Sequence, residues 1–76
     1  MLLTAKCFWP GATVADVELA VARADRCRAA LYFPGDETVL CLFEADSRRA
    51  VKESSERAGL PCERVIDSVW IDGSGR

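Results

Sequence analysis

The 76-residue chain contains no histidine. That absence removes the commonest imidazole ligand and the usual general base together, so a Ser-His-Asp hydrolytic arrangement cannot be built and a histidine-ligated haem is excluded. Four cysteines are present but no C-x-x-C pair. Cys7, Cys27, Cys41 and Cys62 are 20, 14 and 21 positions apart, which leaves out the zinc-ribbon and thioredoxin patterns. Glycine is confined to turns and the tail, with no phosphate-loop spacing. Charge of one sign is missing too. Ten basic residues stand against twelve acidic ones, scattered or paired as Arg48-Arg49, so there is no electrostatic footprint for nucleic acid. No apolar run reaches the length of a membrane span, and Met1 to Trp9 is broken by Lys6 before it could serve as a leader. The expectation is a cytoplasmic protein with reduced, mostly buried cysteines and neither a nucleic-acid nor a membrane partner.

What is present is punctuation for six elements. Leu2 to Trp9 alternates as a strand, with Leu3, Ala5, Cys7 and Trp9 on the expected core face and Leu2, Thr4, Lys6 and Phe8 on the other. Pro10-Gly11 ends it. Thr13, with Asp16 three residues on, is an acidic variant of the capping box, and Val14, Val17, Val21 and Ala24, widened by Ala20, make one apolar helical stripe from Val14 to about Ala24.

Ala29–Phe33 and Thr38–Phe43 read as strands joined by the turn Pro34-Gly35-Asp36-Glu37. The second of these is apolar at almost every position, as a strand covered on both faces is. Asp46 or Ser47 can cap a second helix, Asp46 being preferred, with Ala50, Val51, Ser54 and Ala58 toward the sheet. Its solvent side carries the Arg49–Glu53 and Lys52–Glu56 pairs. Gly59 then supplies a left-handed stop, and Pro61 prevents continuation. Glu63 to Ile71 is the last strand, with its sidedness left open.

Strand, helix, strand, strand, helix, strand in so short a chain predicts an α+β, ferredoxin-like βαββαβ fold. Its four-stranded antiparallel sheet has order 4-1-3-2, with both helices on one face. Residues 1–72 form a single domain in this reading, and 73–76 a flexible tail. One sheet face then lacks a cover. If Val39, Cys41 and Phe43 face the helices, Leu40 and Leu42 project from the open side, joined by Phe8 and by Tyr32 or Trp70. A patch of that kind predicts a homodimer with Phe8, Leu40 and Leu42 in its interface.

Cys7-Phe8-Trp9-Pro10-Gly11, Pro34 with Asp36-Glu37, CLFEA at Cys41 to Ala45, Ala50-Val51, RAGLP at Arg57 to Pro61 and ERV at Glu63 to Val65 resemble a small bacterial family, domain of unknown function 4242. The likeness covers nearly the whole chain and loosens between Asp16 and Ala30, where this chain looks shortened. It implies a ferredoxin-like fold and a dimer, and, through a nickel-binding member, nickel or another soft metal. The absent histidine leaves no matching imidazole to carry over.

Two thiols remain as candidate metal ligands, Cys7 and Cys41, on adjacent predicted strands, with Glu44 and Asp67 as carboxylates that could complete a site. Lys6 is a further ionisable group on a predicted strand. Two function classes follow. One is a dimeric small-ligand or metal-binding, regulatory module. The other is a small oxygenase-type enzyme resembling the dimeric α/β-barrel group, by fold analogy. A closed pocket with convergent polar groups would favour the enzyme, and an apolar seam the binding module.

Overall fold

The computed structural model describes residues 1–73. Its elements are β1 (Leu2–Phe8), α1 (Val14–Arg23), β2 (Cys27–Phe33), β3 (Thr38–Glu44), α2 (Arg48–Ala58) and β4 (Cys62–Asp67), with a single 3-10 turn at Pro34–Asp36. All strand pairs are antiparallel and the order across the sheet is β2-β3-β1-β4, the order expected from the sequence. β1 and β3 are the central strands. They pair in unbroken register from Leu2 opposite Glu44 to Phe8 opposite Thr38.

That register sorts side chains by parity. Leu3, Ala5 and Cys7 on β1 and Val39, Cys41 and Phe43 on β3 are fully buried. They form the floor of a core roofed by Val17, Ala20 and Ala24 of the α1 segment and by Val51 and Ala58 of α2, with Leu60 closing the end. Val14 lies outside the roof. It starts α1 and is exposed, so the stripe read from the sequence is one turn shorter in practice.

Local signals explain the helix ends. Thr13 Oγ1 accepts from the Asp16 N–H at 3.1 Å, and the Asp16 carboxylate accepts from the Thr13 N–H at 2.9 Å, a complete capping box. α2 starts one residue later than expected. Ser47, not Asp46, is its cap, with Oγ accepting from the Ala50 N–H at 3.1 Å. The shift follows from Ala45, whose N–H is held by the Met1 carbonyl at 2.9 Å, which keeps the chain on the sheet until Ser47 is in place to cap. Gly59 ends α2 at φ 84°, the left-handed conformation that favours glycine.

The last strand is shorter than the expected Glu63 to Ile71. Pairing stops at Asp67 opposite Leu3, because β1 has nearly run out of residues to pair with. Ser68 N–H then bonds the Leu2 carbonyl at 3.1 Å, and the Ser68 and Thr4 hydroxyls share a 2.6 Å hydrogen bond. Thr4 belongs to the open side of the sheet, so the chain after β4 crosses onto that side, carrying Trp70 with it. Of the expected tail, Ser74 to Arg76 lie outside the described residues.

Candidate functional site

The two faces of the sheet hold different groups. On the uncovered face the register brings Leu31, Leu40 and Lys6 into one row and Ala29, Leu42, Thr4 and Ile66 into the next. Trp70 stands over them. Together Thr4, Ala29, Leu31, Leu40, Leu42 and Trp70 line a hollow of about 300 Å³. Leu40 and Leu42 are only half-buried, while Phe8 is 49%, Leu31 63% and Trp70 71% exposed. Phe8, Leu40 and Leu42 thus share the open face. Tyr32 does not join them. It pairs with Val39, points to the helices, and donates its hydroxyl to the Ala12 carbonyl at 2.6 Å. Trp70 is the aromatic on the open side, and the crossing after Asp67 is what puts it there.

The helix-covered face carries all four cysteines, one from each strand. Cys7 and Cys41 are fully buried; Cys27 and Cys62 are half-buried at the outer strands. All are free thiols. Two irregularities in the ladder bring the outer pair inward. Between Cys27 and Ala29, β2 advances two residues while β3 advances one, so Cys27 stands opposite Phe43. Between Arg64 and Cys62, β4 likewise advances two while β1 moves from Lys6 to Cys7. With uninterrupted alternation Cys27 and Cys62 would both face the open side; each bulge, at Arg28 and at Glu63, turns its cysteine under the helices. Sequence reading singled out Cys7 and Cys41 and missed the other two, because a bulge leaves no mark in the period of hydrophobicity.

The thiols interact in series, Cys27 with Cys41, Cys41 with Cys7, and Cys7 with Cys62. Cys41 stands between Cys27 and Cys7, and those neighbouring thiols together with burial make it a much weaker acid than a free thiol. The Cys41 thiol shifts Cys7 and Cys27 the other way despite burial. Burial pushes the Cys62 thiol up, with the charge on nearby Lys52 opposing. Outward-facing bonds hold the rim: Cys27 Sγ donates to the Ala29 carbonyl and Cys62 Sγ to the Arg64 carbonyl, each at 3.5 Å.

The carboxylates considered from sequence do not reach this row. Glu44 is exposed and pairs in register with Leu2, and Asp67 is engaged by Arg48 at 3.0 Å. Lys6 sits on the open face, 3.9 Å from Glu63.

Against known proteins, residues 12–67 match the family described as nickel responsive protein SCO4226-like. The chain belongs to that family. Among solved structures, the crystal structure of SCO4226 from Streptomyces coelicolor A3(2) superposes with a TM-score of 0.69 at 21% identity, covering 95% of this chain and 100% of that one. At that identity the agreement speaks for the fold. No curated protein matches.

The SCO4226-like match spans the CLFEA, RAGLP and ERV segments and stops short of Cys7. Imidazole suits nickel, and square-planar or tetragonal nitrogen and oxygen sets are typical of Ni(II). This chain has no imidazole to give. Among the described residues no three His, Cys, Asp or Glu side chains converge to hold a metal ion. Among its described residues, this SCO4226-like chain presents no imidazole-containing donor set of the kind that suits nickel.

Proposed function

We infer that the chain is a cytosolic, homodimeric binding module, in which a second copy covers the open sheet face and the hollow under Trp70 holds a small apolar ligand at the seam. The observation that carries this reading is the apolar face itself. Leu31, Leu40, Leu42, Phe8, Phe33, Ile66 and Trp70 lie on the side that no helix covers. A domain of 76 residues buries only about 60% of its unfolded surface alone, so a second layer of protein adds a large share of its stability. Charge supports a two-fold pairing. Lys6 and Arg64 lie toward one end of the face and Glu44 toward the other, so a copy packed with strand direction reversed meets opposite charges at both rims.

The lining also separates binding from turnover. Thr4 supplies the one hydroxyl in the hollow and already shares its hydrogen bond with Ser68; the remaining walls are hydrocarbon and the Trp70 ring. Among the described residues no general acid or base lines it, which favours a binding module over an oxygenase-type enzyme.

Native mass spectrometry of protein purified without a metal-affinity step tests this reading. A dimer mass is expected for the wild-type chain and a monomer mass for Leu40→Glu with unchanged circular dichroism. Anilinonaphthalene sulfonate then serves as the apolar probe: one bound dye per seam, lost in Leu42→Glu, supports the ligand seat. A wild-type monomer at micromolar concentration would overturn the dimer, and dye binding indifferent to Leu42→Glu would overturn the seat.

A further inference from the structure

The open face does not use the four thiols, and they are not explained by packing alone. Small core hydrophobes need no bulges to place them. Here two separate interruptions of the ladder, at Arg28 and Glu63, each cost a regular pair and each turn an outer-strand cysteine toward the covered side. Bulges are a recurrent device for re-aiming a side chain next to a site. The result is a row of cysteines on one face of all four strands, diagonal from Cys27 through Cys41 to Cys7 and then straight across to Cys62. A second oddity lies in the same layer. Ser55, on the sheet-facing side of α2, is fully buried, and its Oγ finds no hydrogen-bond partner among the described residues. α2 packs against β1 and β4, the strands that carry Cys7 and Cys62. Orphaned hydroxyls inside a native core are rare and ask for a reason.

We propose that this row is a binding site for a soft monovalent d10 cation, Cu(I) being the type, held in linear two-coordination by Cys7 and Cys41. Donor chemistry selects the class. Thiolates without imidazole or carboxylate favour Cu(I) over nickel or magnesium. Geometry selects the coordination number. With no three ligating side chains converging among the described residues, a tetrahedral or octahedral ion has no cage, whereas a linear ion needs only two sulfurs on opposite sides. Cys7 and Cys41 are the inner, fully buried pair, on the two central strands, diagonal neighbours because Cys7 pairs with Val39.

Binding balances simply. The two S–H bonds break, two metal–sulfur bonds form, two protons leave to solvent, and the bis-thiolate complex carries one negative charge. That charge is buried, and buried charge needs donors. Cys62 pairs directly with Cys7 across β1 and β4, and Cys27, opposite Phe43, is the diagonal neighbour of Cys41, so each ligating sulfur has a neighbouring S–H to donate to it once the outer thiols rotate from their carbonyls. The outer thiols are also the half-buried ones. They give the ion a stepwise route inward by sulfur-to-sulfur exchange. The proposal is independent of the dimer, since it concerns the opposite face of the sheet.

The test is an anaerobic titration of the reduced full chain with tetrakis(acetonitrile)copper(I) in competition with bicinchoninate, followed by X-ray absorption at the copper edge. One Cu(I) per chain, retained against the chelator and bound by two sulfurs, is expected. Cys7→Ser and Cys41→Ser lose the stoichiometric uptake, whereas Cys27→Ser and Cys62→Ser keep it with affinity lowered about tenfold, as befits groups outside the coordination shell. Circular dichroism of each variant separates loss of ligand from loss of fold. Should Cys7→Ser or Cys41→Ser unfold, the absorption spectrum of the wild-type chain decides alone. Three or more sulfur ligands, equal loss in the inner and outer variants, or no copper held against bicinchoninate would each overturn the proposal.

Discussion

Along β1, Leu3, Ala5 and Cys7 are sealed completely while Leu2, Thr4, Lys6 and Phe8, one residue removed, are not. The alternation is the same on both sides of the sheet; what differs is the second layer. Two helices close one face with apolar side chains and seal Cys7 and Cys41, while Cys27 and Cys62 stay half-buried at its edges. On the other face the nearest cover is the segment after Asp67, which contributes Trp70 and leaves most of Leu31 and about half of Phe8 in water. With the proposed second copy on the open face, stability and association would reside on opposite sides of one sheet. A substitution on the covered face should be read out by unfolding, and one on the open face by subunit number.

The sharpest way to break that division is at Phe43, the largest fully buried side chain. Phe43→Ala should destabilise the fold by about 3 to 5 kcal/mol through lost contacts and the cavity left behind, measured by urea denaturation. A cost under about 1 kcal/mol would mean that the covered face is not the core. Next in size, Leu40→Glu on the open face should weaken dimerisation by about 2 kcal/mol, roughly 30-fold in dissociation constant, in sedimentation equilibrium. Its unfolding midpoint should fall only to the extent that it depends on protein concentration; a concentration-independent drop as large as that of Phe43→Ala would erase the distinction between faces.

Ser47→Ala acts on the roof of the covered layer. Losing the 3.1 Å bond to the Ala50 N–H should cost about 1 kcal/mol and speed amide exchange in the first turn of α2, with no change in subunit mass. Smallest is Asp67→Asn. The pair it breaks with Arg48 spans 3.0 Å between side chains that are 56% and 69% exposed, so thermal denaturation should move by less than about 1 kcal/mol equivalent. Arg48 also donates to the Val65 carbonyl, and that bond holds α2 against β4 without the carboxylate.

Much of this architecture was legible because its signals are local or periodic. The Thr13 and Asp16 box, the Pro34 to Glu37 turn, Gly59 and the unbroken apolar run of β3 each specify conformation within a few residues, and together they leave few topologies to choose from. The open face with Leu40 and Leu42 followed from parity once the order of strands was in hand. What stayed hidden depended on long-range register. Asp67 ends β4 because β1 has nearly run out of partners, a fact located some sixty positions away in the chain. Tyr32 stood beside Trp70 as an alternative for the open face, and the register of its strand with β3, which decides between them, is long-range. Cys27 and Cys62 were missed for the reason that also makes them interesting: Arg28 and Glu63 each add a residue to one side of a ladder, and hydropathy does not record that addition.

One thiol on every strand has a use beyond ligands. Cys27, Cys41, Cys7 and Cys62 sit on β2, β3, β1 and β4 respectively, so a pulse of alkylating reagent applied during refolding, read by peptide mass, reports when each strand becomes protected. The two central cysteines should close together, since β1 and β3 share the longest uninterrupted pairing. Cys62 should close last, because its strand must wait for the helix before it and for a bulged register to settle. The chain thus carries its own four-channel clock of assembly.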